Sequence, residues 1–356
     1  MTRIGFVGLG NMGGAMCHRL IRAGYDVRVF DMDQERVDAA VEAGGVSATS
    51  AAECAGGADL FLTSLPRPDH VQAVMVDADA LAALHRGAVW VDLTTNDIEL
   101  LARLAGEVPD GVRVVDCPVT GAVDGARNGR LTLFAGGDAA DIGRVRPFLE
   151  TLGTVVVCGP LGTGNVVKLV TNQLWFISAA ALGEGFALGV RHGVDLGVLW
   201  SAIRQSVGDS FVAAHDAPSI FAGHYDPSFT LDLCLKDLRL IHGLQNALTA
   251  DLPLTDAARA AFMLAADRYG TQAAELHVAR RIEDDANLSF RLPGDWTHPG
   301  KSPTNRIETA GEERPLMCEC ALLPMTRRFL GAPMETQSAP ALPLSSTART
   351  SKGLRQ

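Results

Sequence analysis

The chain of 356 residues lacks any surplus of positive charge. Its 31 lysines and arginines face 41 aspartates and glutamates, for a net charge of −10. Nucleic-acid binding calls for a basic patch or stripe, and none is visible, so no nucleic-acid partner is expected. Long apolar runs are also missing. The longest, Leu169 to Gly183, holds 15 uncharged residues between Lys168 and Glu184. That is short of the roughly 20 that cross a bilayer. No basic segment precedes the first apolar residues, so the expectation is a chain with no signal peptide, no membrane partner and a cytoplasmic setting. Seven cysteines, odd in number and scattered, exclude a disulfide framework and point to a reducing compartment. Cys318-Glu319-Cys320 has no second ligand pair nearby, and the nine histidines fall in no metal or catalytic spacing. No metal is expected. A G-x-S-x-G elbow is absent, which argues against a serine hydrolase of that type.

What the chain does have begins at Arg3. "RIGFVGLGNMGGAM" reads as a strand, Ile4 to Val7, a turn Gly8-Leu9-Gly10-Asn11-Met12-Gly13, and a helix through Leu20. The first glycine permits the tight turn, the second lets a pyrophosphate approach the backbone, and the third lets helix and strand pack closely. The free N–H groups and the dipole at the helix start favour the phosphates. A second strand, Val27 to Phe30, ends in Asp31, close to the distance at which an acid receives ribose hydroxyls. No arginine follows Asp31 directly to hold a 2′-phosphate, so NAD is expected rather than NADP.

Short apolar runs bounded by Gly, Pro and Asp continue as Leu60–Ser64, Ala88–Leu93, Val112–Cys117, Leu131–Ala135 and Val155–Cys158. With helical stretches between them they predict a mostly parallel sheet covered on both faces, an α/β Rossmann-type domain over residues 1–161. From Gly162 the strand signals stop. Gly162 to His192 reads as one long interdomain helix, apolar on most sides and therefore buried against several neighbours, and an all-α domain follows over 162–294. Its small residues would let another helix approach, which suits a subunit interface. Residues 295–356 carry 7 of the 17 prolines with no sustained period and read as a disordered tail beginning near Trp296.

Three further stretches carry chemistry. In "GTGNVVKLVTNQ" Lys168 and Asn172 are four apart, on one helix face, with Trp175 on the same face. A lysine inside an apolar helix loses hydration, which lowers its proton affinity toward the range useful for proton transfer. "DCPVTGA" lies at the carboxyl end of a strand, where ligands of open α/β sheets bind. Its Thr120 hydroxyl and the Gly121 and Ala122 amides form a candidate carboxylate cradle. In "SFTLDLCLKDLRL", Lys236 beside Asp237 reads as a solvated pair.

In this order, these motifs resemble the β-hydroxyacid dehydrogenase family across residues 3 to 285. The resemblance implies hydride transfer between a nicotinamide and a small 3-hydroxy acid or its semialdehyde, in a homodimer or homotetramer. It implies Lys168 as general acid or base and Asn172 as the residue that holds substrate and orients Lys168. Thr120, Gly121 and Ala122 would take the carboxylate. Lys236 would lie beside the nicotinamide, and Leu65, Pro66 and Thr95 would line the cofactor. Ala122 departs from the family pattern, where a second glycine is usual; a positive φ there would reshape the cradle. Ser210 and Phe211 are expected toward the far end of the substrate. The alternatives are an imine reductase of the same fold, whose members usually replace the lysine, and a dinucleotide-binding module without turnover.

Overall fold

Residues 2–294 and Trp296 are described in the structure, a computed structural model. The sheet is built from β1 (Arg3–Val7), β2 (Asp26–Phe30), β3 (Val46–Ser47), β4 (Leu60–Thr63), β5 (Val89–Asp92), β6 (Arg113–Asp116), β7 (Val119–Thr120), β8 (Leu131–Gly136) and β9 (Gly153–Gly159). Its order is β3-β2-β1-β4-β5-β6-β8-β7, with β9 also on β8. The first six strands are parallel; β8 runs antiparallel to β6 and β7, and β9 parallel to β8. The seven expected strands are all present within two residues of their expected ends. β3 and β7, two residues each, are too short to leave a pattern.

Alternation along the strands divides the core in two. Ile4, Phe6, Leu60, Leu62, Val89 and Val91 face one layer, with Met16, Leu20, Val145 and Leu149. Val7, Phe61 and Trp90 face the other, with Val71, Met75, Leu101 and Leu104. Both faces are covered, which is why these strands read as continuous apolar runs. The strand order turns back between β1 and β4. There the loops after β1, β4, β5 and β6 all emerge at one sheet edge, where ligands of this architecture sit.

The long helix spans Thr163–Arg191, within one residue of expectation at each end. Gly162 at its start has φ +91° and Gly193 just beyond it φ +85°, both in the region that favours glycine. Leu169, Phe176, Ala179, Leu182 and Phe186 turn inward and meet Phe221, Phe262 and Phe290 in a third core. By length and composition alone this helix would suffice to cross a membrane, a test that core helices also meet.

One expectation about this helix is corrected. It is not buried on most sides: Val170, Leu174 and Leu188 are 46, 61 and 65% exposed. Spaced by four and fourteen, they share one stripe. Its small residues also serve the chain itself. A Cβ on Gly183 would stand 3.0 Å from Cα of Ala279, and one on Gly189 would run into Leu199, while Gly185 faces nothing within 4 Å.

The expected start of the tail is corrected as well. Composition assigned Trp296 to it, yet the Trp296 ring packs edge-on against Trp200 and Phe221 at 5.5 and 5.2 Å. Its indole Nε1 donates to the Leu292 carbonyl at 3.0 Å. The segment before it is equally built in. Phe290 is fully buried, its N–H donates to Glu283 Oε1 at 3.0 Å, and Arg291 reaches Tyr225 and Glu283. The rest of the expected tail, with Cys318 and Cys320, lies outside the described residues.

Candidate active site

The turn after β1 has the shape its glycines imply. Gly8 has φ +94°, and a Cβ there would overlap the Ser64 carbonyl oxygen of the β4 loop. A Cβ on Gly13 would overlap the Gly8 carbonyl oxygen. Over Gly10 the space is open except for Arg36, whose Nη1 lies 3.4 Å from where a Cβ would stand. Gly10 caps the Asn11–Arg22 helix without a side chain, which leaves first-turn N–H groups for a ligand. Asp31 holds this loop: its Oδ2 accepts from Leu9 N at 2.6 Å and its Oδ1 from Asp33 N at 2.9 Å. Gly8, Leu9, Gly10, Asn11, Met12, Gly13 and Asp31 therefore form one cradle that fits a dinucleotide pyrophosphate and ribose. Leu65 joins it from β4, its N–H donating to Thr94 Oγ1 at 3.0 Å. Pro66 follows on the same loop.

Lys168 is buried one turn into the long helix. Burial lowers its pKa to about 8; Asp237 and Glu275 oppose the shift, and the nearby Lys236 cation adds to it. Among the described residues no hydrogen bond reaches its ammonium. Asn172, on the same face, donates Nδ2–H to Asp237 Oδ2 at 2.6 Å. That contact orients the amide and, among the described residues, leaves Asn172 Oδ1 without a donor.

The Lys236–Asp237 pair on the Leu231–Gln245 helix is not solvated, as its sequence suggested, but buried, with Nζ 2.6 Å from Oδ1. Lys236 Nζ also donates to the Thr95 carbonyl at 3.2 Å, across to the loop after β5. One turn earlier on that helix, Asp232 pairs with Arg67 of the β4 loop. The structure thus joins Lys168, Asn172, Lys236, Asp237 and Thr95 in one polar cluster at the sheet edge.

Thr120 ends β7, paired with Thr132. Gly121 and Ala122 follow with φ +124° and +56°, and Ala122 opens the Ala122–Asn128 helix. The position where Ala122 replaces a glycine does need positive φ, at a cost of roughly 1 kcal/mol or more for a residue with a Cβ. Ser210 caps the turn that follows it, with its Oγ accepting from Ala213 N at 3.1 Å. Phe211 stacks on His215 at 4.6 Å, and His215 bonds Asp216, which also accepts from Trp175 Nε1 at 2.8 Å. Phe211 thereby leads through His215 and Asp216 to Trp175, on the helix face that carries Lys168.

Several residues of the site were not singled out from sequence. Asp116 at the end of β6 accepts from Gly162 N and Asn165 N, each at 2.7 Å. Asn165 Oδ1 accepts from Asn96 N at 2.7 Å, and Asn96 Nδ2 donates to Asp92 Oδ2 at 2.7 Å. The visible signal was two adjacent strands that each end in aspartate. Glu275 faces Lys168 from another segment, and burial with Asp216 and Asp226 nearby pushes its carboxyl well above the ordinary range.

Comparison with known proteins agrees with this geometry. Residues 3–159 match the family model described as the NAD binding domain of 6-phosphogluconate dehydrogenase. Residues 162–282 match the one described as NAD-binding of NADP-dependent 3-hydroxyisobutyrate dehydrogenase. The chain is 36% identical to 3-hydroxyisobutyrate dehydrogenase of Pseudomonas aeruginosa over 276 residues, 74% of this chain and 92% of that one. The chain belongs to the β-hydroxyacid dehydrogenase family. NAD-dependent L-serine dehydrogenase of the same organism is 32% identical over the same shares of each chain. Among solved structures, 3-hydroxyisobutyrate dehydrogenase of Mycobacterium tuberculosis with L-serine superposes with a TM-score of 0.73 at 28% identity, covering 79% of this chain and 99% of that one. This β-hydroxyacid dehydrogenase is an oxidoreductase that binds a nicotinamide dinucleotide and acts on CH–OH groups of hydroxy acids.

A buried lysine of lowered pKa costs stability below its folded pKa. The unfolded chain holds the proton up to about 10.5 and the folded chain only to about 8. Between those values stability rises with pH, because the unfolded state binds more protons. Lys168→Met is therefore expected to be more stable than the parent at pH 7, by up to roughly 3 kcal/mol. The advantage should shrink between pH 8 and 10.5. Urea unfolding at pH 7 and at pH 10.5 checks it; a variant that is less stable at pH 7 contradicts the burial cost.

Proposed function

We propose that this enzyme interconverts a small 3-hydroxy acid and its semialdehyde or 3-oxo acid, with NAD as cofactor and Lys168 as general acid and base. The observation that carries this reading is the Lys168 ammonium, without a hydrogen-bond partner among the described residues and buried in one polar cluster with Asn172, Asp237 and Lys236. When bound, the nicotinamide supplies the hydride chemistry. The chain's own residues orient the substrate and move the proton. In oxidation the neutral Lys168 amine takes the hydroxyl proton; in reduction its ammonium gives one to the forming alkoxide. A pKa of about 8 keeps both forms populated near neutral pH, so one side chain serves both directions.

Asn172 Oδ1 is the acceptor left to position the substrate hydroxyl or Lys168. Thr120 Oγ1 and the N–H groups of Gly121 and Ala122 receive the substrate carboxylate, at the sheet edge where parallel strands end. Asp31 favours NAD, since its carboxylate suits ribose hydroxyls and repels a 2′-phosphate. The free cysteines Cys17, Cys54, Cys117, Cys158 and Cys234 suit a reducing, cytoplasmic setting.

The chain further assembles as a homodimer or homotetramer through the exposed Val170, Leu174 and Leu188 stripe. Leu174→Glu should then sediment as a smaller species than the parent, and an unchanged assembly would exclude the stripe as the interface.

Lys168→Ala is expected to lower kcat roughly 10²- to 10⁴-fold. Lys168→Arg should not rescue it, because guanidinium keeps its proton at any working pH. Dinucleotide affinity, measured on the same proteins, should change little. A folded Lys168→Ala enzyme that binds NAD and turns over near the parent rate would overturn the assignment.

A further inference from the structure

Asp33 does two jobs at the start of the Gln34–Glu42 helix. Its Oδ1 accepts from Glu35 N at 3.1 Å, capping the helix, and its Oδ2 lies 3.1 Å from Arg36 Nε. Arg36 is directed back over the glycine turn, with Nη1 3.4 Å from the Cβ position of Gly10. The sequence places no arginine directly after Asp31, but the helix returns one to the same loop five residues later. Asp31 itself is held by Leu9 N and Asp33 N, so the ribose end of the cradle carries two carboxylates and one guanidinium. A 2′-phosphate entering there would meet a net negative surface even though a cation suited to bind it stands beside it.

We propose that Arg36 is a latent 2′-phosphate site, and that its ion pair with Asp33 masks it and keeps the enzyme selective for NAD. The inference rests on the reading that NAD is the preferred cofactor, and it assigns to Asp33 a share of that preference beyond Asp31. Arg36 offers a planar fork of donors suited to phosphate. With Asp33 present, one edge of that fork is engaged and the added charge repels the ligand. Without it, the local charge of Asp31 and Arg36 sums to zero and the fork is free. Both side chains are about half exposed, so the effect is a moderate one.

Calorimetric titration of NAD and NADP against four proteins tests this: the parent, Asp33→Ser, Arg36→Ala and the double variant. Serine also caps helices, so Asp33→Ser retains the helix start. The parent is expected to bind NAD at least tenfold more tightly than NADP. Asp33→Ser should tighten NADP binding about tenfold, and Arg36→Ala added to it should remove that gain. An Asp33→Ser protein whose NADP affinity stays within threefold of the parent, or a double variant that keeps the gain, would overturn the proposal. A parent that binds NADP as tightly as NAD would instead refute the NAD reading, and the double-variant comparison would still report whether Asp33 masks Arg36. Should Asp33→Ser fail to fold, Asp33→Asn, which also caps, carries the same comparison.

Discussion

Asp116 caps a helix from a neighbouring strand. The long helix is preceded by Gly162, which has no side chain to satisfy its first N–H groups. Asp116 reaches over from the end of β6 and takes the N–H of Gly162 and of Asn165. The carboxylate lies at the positive end of the helix dipole, where it is favoured. Gly136 and Gly164 leave it room, since a Cβ on either would collide with its oxygens. From Asn165 the buried chain continues through Asn96 to Asp92, Thr63 and Trp90. The sheet edge and the helix that carries Lys168 are thereby tied together three residues before the lysine.

This junction carries the cost of buried charge. Burial raises Asp116 to about 6 and pushes Asp92 up as well, while the donated hydrogen bonds pull both down. Losing one partner would leave another buried polar group unpaired, a cost of roughly 1–3 kcal/mol. The Lys236–Asp237 pair and Lys168 add to the same strain on stability. Three apolar cores offset what is lost here, and the result is a set of polar groups held in fixed positions.

The glycine turn was legible in the sequence because backbone geometry that a short pattern encodes requires Gly8, Gly10 and Gly13. The long helix was legible to within a residue because glycines mark both of its ends. What lay hidden depends on contacts between distant segments. Asn165 looked like an ordinary helix residue until Asp116 and Asn96 came to meet it. Arg36 stood five positions from Asp31 and came back through one turn of helix. Asp237 passed for a surface charge because nothing local shows that Lys236, Asn172 and Lys168 surround it. Trp296 was assigned to the tail by the prolines around it, although its own ring docks on Trp200 and Phe221.

The junction stands three residues before Lys168 on the same helix, and a role in setting the position of that lysine rather than in holding the dinucleotide is tested at Asn165. Asn165→Leu keeps the branched shape of the side chain and the backbone bond from Asn165 N to Asp116, and removes the side-chain bonds to Asp116 and Asn96. Its kcat and its dissociation constant for the dinucleotide, measured together, test this most directly. If the junction acts this way, kcat falls at least tenfold while the dissociation constant moves less than threefold. A folded variant with unchanged kcat, or one in which both constants worsen in parallel, would contradict it.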